Sequence, residues 1–226
     1  MTDVHRMAAV DRKHAVLKES RSHEAWACDS LYANPEVAAK AAEFFNEHYG
    51  LWSDKGPRPG QPCKLSKRRI LQEGDIVRVC NDEKNNRIAQ MIFRDCQTEQ
   101  LGHVVWVKQI VVHAAYRRRG LATFLLSTIV RVRYIALVTC NVYTVRALEK
   151  CAGSKVLGVS EIAQKLLVES NVNYLCAAHV RVMSPYAAVM TEFHVKPPKG
   201  SAEKLNNLQP GEEFLAVVQP QRYWLR

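Results

Sequence analysis

The sequence predicts an α+β domain built on a mixed β-sheet with helices on its faces. Three observations carry that expectation. Two short strand-like runs, residues 75–80 (DIVRVC) and 87–93 (RIAQMIF), flank the polar turn NDEKNN and read as an antiparallel hairpin. A longer β-rich run, residues 103–112 (HVVWVKQIVV), leads into GLATFLLSTIVRV, where the apolar period changes from 2 to 3.6. Residues 134–139 (YIALVT) are then continuously apolar, as in a strand buried on both faces, and VYTVRALEKC follows as a second helix.

Residues 1–30 are charged with little pattern and form an N-terminal arm or an extra helix, ahead of a single domain over residues 31–226. Asn34-Pro35-Glu36 supplies a capping side chain, a proline at the first helical position and an acid in the first turn. Val37, Ala41, Phe44, Phe45 and Tyr49 recur at helical spacing, and Gly50 is placed to end that helix. Residues 53–63, with three Pro and two Gly, form a loop. Ser66 caps a short basic helix, SKRRILQ, stopped near Gly74. In the helix after residue 120, Leu121, Phe124, Leu125, Ile129 and Val132 share one apolar face. Gly153 closes the helix VYTVRALEKC. Residues 162–168 read as a short helix and residues 188–195 and 213–218 as strands, with the loop KPPKGSAEK between those strands.

Composition removes several classes of function. A chain of 226 residues that is 47% hydrophobic can bury a full core, which excludes collagen-like and wholly disordered readings. It contains no apolar run of about 18 residues that would read as a membrane-spanning helix. The longest apolar run near the start, residues 7–10, is too short for a signal peptide, and Asp3, Asp11, Glu19 and Glu24 do not suit a transit peptide, so a cytoplasmic or nuclear location is expected. Seven scattered cysteines without a CxxC pair read as reduced, mostly buried thiols, with no metal site. The net charge of +10 suits an anionic ligand, a nucleic acid or simply a solvated basic surface. The basic stretch KLSKRR lacks interleaved aromatics and any reader motif, so neither nucleic acid nor membrane is expected as a partner.

The stretch that carries chemistry is QIVVHAAYRRRGLATFLL, residues 109–126, which runs from a strand through a basic turn into a helix. At a helix start the first amide N–H groups lack intrahelical partners, and the aligned peptide dipoles place positive potential there. Gly120 and Ala122 let phosphate oxygens approach the backbone, and Arg117, Arg118 and Arg119 add charge beside it. The pattern is neither GxxxxGK[ST] nor GxGxxG, so a nucleoside triphosphate or NAD is not the favoured ligand.

Arg117-Arg118-Arg119-Gly120-Leu121-Ala122, behind the strand VKQIVV, resembles the Gln/Arg-x-x-Gly-x-Gly/Ala motif of the GNAT superfamily of acyl-CoA N-acyltransferases. TCNVYTVRALEKCAG is similar to the family's second signature, with Asn141 at the Asn position. The resemblance covers roughly residues 37–154, and RALEK, SPYAAVMTEF and GEEFLAV are similar to a largely fungal-type subgroup. It implies a GNAT fold, with the sheet splayed between strands 4 and 5, and acetyl-CoA as cofactor. Ile110, Val111 and Val112 would pair with the pantetheine arm as an added strand. The amides of Arg119, Gly120, Leu121, Ala122 and Thr123 would hold the diphosphate, Arg117 and Arg118 would add charge, and Asn141 would stand at the ligand.

The same resemblance implies that the amide of Val112 or a neighbour stabilises the oxyanion. The family's tyrosine acid falls at Leu148 here, which leaves the acid open between Tyr143 and Cys140. Trp106 and Lys108 stand at outward strand positions where the family often has Glu or His, which leaves the base to Glu192 or to a water chain. The implied activity is transfer of acetyl from acetyl-CoA to a primary amine by direct attack in a ternary complex. A catalytically idle CoA-binding sensor or interaction module is the alternative. Acyl-CoA and the amine are the implied ligands, and a homodimer is left open.

Overall fold

The structure is a computed structural model and describes residues 26–221. Along the described chain run β1 (Ala27–Tyr32), α1 (Pro35–His48), α2 (Lys67–Ile70), β2 (Ile76–Asn81), β3 (Arg87–Thr98) and β4 (Gly102–Val112). Then come α3 (Leu121–Ser127), β5 (Tyr134–Thr139), α4 (Val142–Ala152), α5 (Ala163–Glu169) and α6 (Asn173–Cys176). The last part holds β6 (His179–Met183), β7 (Tyr186–Met190), α7 (Ser201–Lys204) and β8 (Glu212–Val218). All eight strands among the described residues join one sheet in the order β1-β2-β3-β4-β5-β8-β7-β6. Neighbours are antiparallel except β4 and β5, which run parallel. The expected α+β architecture with a mixed sheet and flanking helices is therefore present.

Local chemistry explains the helix ends. The Asn34 side chain accepts from the amides of Glu36 at 3.0 Å and Val37 at 2.9 Å, and Pro35 pre-sets the first turn of α1. That helix stops at His48 with Tyr49 as its right-handed cap, so Gly50 is not the terminator its position suggested. Asn141 caps α4, its side chain accepting from the Tyr143 amide at 2.9 Å, and Gly153 closes α4 at φ 66°. The apolar pattern after Gly120 extends past the helix itself. Ser127 Oγ donates back to the Phe124 carbonyl at 2.7 Å and Thr128 Oγ1 to the Leu125 carbonyl at 2.5 Å, and α3 ends in that competition.

Helices cover both faces of the sheet. Leu121, Leu125, Val145 and Leu148 of α3 and α4 pack on Val105, Val107, Ile135 and Leu137. On the opposite face α1 sets Ala41 and Phe45 against Val77, Ile92 and Val111. Beside it α5 sets Leu166 and Leu167 against Trp106, Ala136 and Val217. No helix among the described residues is long and apolar enough to cross a membrane.

Three readings of the sequence need correction. Cys28 and Cys80 stand opposite each other in the β1–β2 register with Cα atoms 4.5 Å apart and are joined as a disulfide, so the cysteines are not all reduced. The strand expected over residues 188–195 ends at Met190, and only Val195 returns to an isolated bridge, with Trp52. β1 places residues 27–30 of the expected arm in the sheet, and residues 1–25 lie outside the described part.

Candidate active site

The site begins with one extra residue in β4. Val107 pairs with Phe93 and Gln109 with Ile92, so Lys108 has no opposite number on β3. This bulge reverses the alternation of side chains. Val105 and Val107 before it, and Ile110 and Val112 after it, face the same apolar cluster. The bulge also bends β4 away from β5. Pairing between them covers Val104–Val107 against Tyr134–Leu137 and then stops, although β4 continues to Val112 and β5 to Thr139. The sheet is thus split where the resemblance implies a splay.

The backbone of the split is directed. The His113 amide donates to the Ile88 carbonyl on β3 at 2.9 Å. Successive N–H groups of a strand point to opposite sides. The amides of Ile110 and Val112 therefore point away from β3, into the split. At its end the chain turns through Arg117–Gly120, all exposed, with Arg118 at φ 65° and Gly120 at φ 92°. Arg117 Nε donates to the Val112 carbonyl at 3.1 Å, and its guanidinium also reaches the His48 carbonyl, tying the turn to β4 and α1. The Arg119 guanidinium lies over the Tyr116 ring at 5.2 Å. Leu121 is core, whereas Ala122 and Thr123 are half-buried at the first turn of α3.

The other predicted residues are dispersed. Tyr143 is 52% exposed on the first turn of α4. Glu192 is exposed at φ 54°, just beyond β7. Leu148 is fully buried core, so α4 offers no phenol at that position. Trp106 and Lys108 are not outward: both are buried, because the bulge and the second face of helices cover them.

A carboxylate not anticipated from the sequence stands level with the end of β5, the strand that β4 has parted from. Glu213 is buried on β8, where Phe214 pairs with Thr139 and Glu213 itself with Val189. The Thr191 hydroxyl and the Cys140 backbone amide lie against its carboxylate, at the point where β5 ends. Burial pushes its pKa up to about 7, against those two polar neighbours, which favour the charged form. The Tyr49 phenol and the Cys140 thiol stay protonated well above neutral pH, because of burial first and the Glu213 charge second, with the Cys140 thiol pushed up to about 12. Tyr174 is 42% exposed as a residue, and its phenol is shifted in the same direction where the hydroxyl turns in towards Glu213. The Tyr174 hydroxyl donates to the carbonyl of the bulge residue Lys108 at 3.4 Å. Tyr49 stacks on Phe45 at 4.3 Å and faces Phe193 at 5.8 Å.

The Glu213 environment makes a stability prediction. A native value near 7, above the unfolded one, means the folded chain holds the extra proton between about pH 4.5 and 7. Stability therefore falls as pH rises through that window. Glu213→Gln, neutral throughout, is expected to exceed wild type by on the order of 2 kcal/mol above pH 7 and to match it below about pH 4.5. Thermal melts across pH check this. A difference independent of pH would contradict the buried-carboxylate account.

A charged network pins the bulge. Asp75, wholly buried, accepts from Lys108 Nζ at 2.5 Å and the Gln72 amide at 2.7 Å, and pairs with Arg94 Nε at 3.0 Å. Arg94 also donates to the Asn171 and Glu73 carbonyls, and Gln72 Oε1 accepts from the Asn173 amide at 3.3 Å. Together these contacts strap the segment carrying Tyr174 over the bulge. A separate hollow of about 770 Å³ opens between α1 and residues 62–67, lined by Glu43, Asn46 and Lys64 among others, and shares no residue with the split. Among the described residues no group of His, Cys, Asp and Glu is arranged to hold a metal ion.

No protein-family model and no curated protein matches the chain. Solved structures are similar at low identity. An acetyltransferase of the GNAT family from Streptococcus pneumoniae aligns with a TM-score of 0.45 at 14% identity, over 85% of this chain and 98% of that one. Arylalkylamine N-acetyltransferase 2 from Aedes aegypti aligns with a TM-score of 0.48 at 8% identity, over 86% and 99%. A spermidine N-acetyltransferase from Vibrio cholerae aligns with a TM-score of 0.43 at 10% identity, over 88% and 97%.

Proposed function

We propose that the chain is an acyl-CoA-dependent N-acyltransferase that moves an acetyl group from acetyl-CoA to a primary amine by direct attack. The observation that carries this reading is the split itself: β4 leaves β5 at the Lys108 bulge, turns the Ile110 and Val112 amides into the gap, and runs on into the basic turn. In this reading the pantetheine arm lies along Ile110–Val112 as an added strand. The diphosphate sits on the amides of Arg119–Thr123, with charge from Arg118 and Arg119, while Arg117 fixes the turn. The Val112 amide then faces the thioester oxygen and stabilises the oxyanion formed on attack. Asn141 orders the start of α4 beside the cofactor.

Direct attack fits the chemistry of Cys140. A thiol pushed up to about 12 stays protonated at neutral pH and makes a poor acyl acceptor. A strongly basic chain is a poor match for basic peptides, which favours a small amine, an amino sugar or a neutral peptide terminus as acceptor. The idle CoA-binding module is the second reading, favoured by the apolar Leu148 where the family's tyrosine stands. Thiol release from acetyl-CoA over a panel of such amines, with calorimetry alongside, separates the two. Turnover supports the transferase. Saturable binding without turnover leaves the module. Absence of binding at sub-millimolar acetyl-CoA sinks both, and an acetyl adduct on Cys140 contradicts direct attack.

A further inference from the structure

We propose that Glu213 is the base of the acetyl transfer: its carboxylate receives the acceptor's ammonium at the end of β5 and takes the proton whose departure frees the nitrogen lone pair. The inference rests on the acyltransferase reading and adds the residue that this reading lacks. Three observations carry it.

The first is position. Glu213 sits on β8 level with Cys140, the first residue beyond β5, so it occupies the end of the strand that β4 has parted from. Tyr174, whose hydroxyl rests on the Lys108 carbonyl at the bulge, feels the Glu213 charge across that gap.

The second is the absence of a fixed counter-ion. The groups that feel the Glu213 charge or lie against its carboxylate are Tyr49 after α1, Cys140 after β5, Thr191 after β7 and Tyr174 on α6. All are neutral, and no described cation lies within ion-pair distance. A buried carboxylate surrounded by hydroxyls, thiols and aromatic rings has an unmet demand for one positive charge, which a primary ammonium satisfies.

The third is that neighbouring acids are spoken for. Glu212 is bonded to Arg181 at 2.7 and 2.5 Å. Asp75 is bound by Lys108 and Arg94. Glu192 is exposed beyond β7.

The ammonium gives one proton to the Glu213 carboxylate, and the freed lone pair forms the C–N bond at the thioester carbonyl. The tetrahedral oxyanion collapses, the C–S bond breaks and the CoA thiolate leaves. The nitrogen's second proton ends on the CoA sulfur, and Glu213 returns the first to solvent. A base whose acidity lies near 7 is poised for this exchange at neutral pH.

The test uses the full chain, acetyl-CoA and whichever amine of the panel wild type acetylates fastest. Glu213→Gln is expected to lower kcat at least ~100-fold and to leave the acetyl-CoA Kd within about threefold. The low-pH limb of kcat/KM, centred near 7 in wild type, is expected to vanish in the variant. Glu213→Asp, which keeps the carboxylate but shortens its reach, retains the limb at a reduced rate and covers the case in which the Gln variant folds poorly. Turnover of Glu213→Gln within about threefold of wild type, or survival of the limb in it, overturns the inference while leaving the transferase standing. Wild type that binds acetyl-CoA but acetylates no amine overturns the inference and leaves the cofactor site. Wild type that binds no acetyl-CoA overturns the acyltransferase reading itself.

Discussion

Alanine at Asp75 is expected to destabilise the chain by about 3–5 kcal/mol. Asp75 is fully buried and holds Lys108 Nζ and Arg94 Nε, and the Lys108 side chain is itself only 4% exposed. Burial draws the Lys108 ammonium towards its neutral form, and the Asp75 hydrogen bond and charge draw it back. Removing the carboxylate leaves two cations together with no anion between them, and neither can reach bulk water without disturbing β4. The same substitution releases Gln72 and with it one tie on the strap that carries Tyr174. Urea unfolding followed by far-UV circular dichroism gives the loss directly. Combining Asp75→Asn with Lys108→Met, which removes charge from both partners, is expected to recover part of it. Equal losses in the single and paired variants would contradict the network account.

Gly120→Glu is expected to weaken acetyl-CoA binding more than ~100-fold, a loss of about 3 kcal/mol. Gly120 has φ 92°, a conformation that costs a residue with a Cβ roughly 1 kcal/mol, yet a Cβ there would meet nothing within 4 Å. A side chain thus has room, and it lies in front of the first turn of α3. A carboxylate at that position neutralises the guanidinium groups and occupies the space of the diphosphate. Gly120→Ala separates strain from charge. It is expected to lose the same stability but to hold acetyl-CoA within about tenfold of wild type. Calorimetry on the three proteins decides, and equal affinity in wild type and Gly120→Glu would remove the turn from the cofactor site.

Much of this architecture is legible in local chemistry. Asn34-Pro35 marks the start of α1, Gly153 the end of α4, and the apolar run of residues 134–139 the strand β5, because caps and buried strands are written in a few adjacent residues. What escapes is set by contacts distant in sequence. Lys108 reads as an outward strand residue, but the face of β4 that it shares with Trp106 is covered by packing distant in sequence, with Tyr174 on its carbonyl and Asp75 on its ammonium. Glu213 reads as an ordinary strand residue, since nothing local announces that β8 inserts between β5 and β7 and is buried along its whole length. The GEEFLAV resemblance marks the segment without saying which of its two acids stands at the split and which is held by Arg181. The basic turn is legible as a motif, but the commitment of Arg117 to Val112 and His48 depends on where α1 ends.

In the proposed complex a thioester cofactor lies along the open edge of β4 with its diphosphate on the turn beyond. Amide-resolved NMR of the labelled chain titrated with acetyl-CoA reads this placement residue by residue. Saturable shifts are expected at Ile110, Val112 and residues 119–123, with residues 62–67 beside the separate hollow unmoved. Shifts gathered at residues 62–67, with the amides of Ile110 and Val112 unchanged, would contradict it.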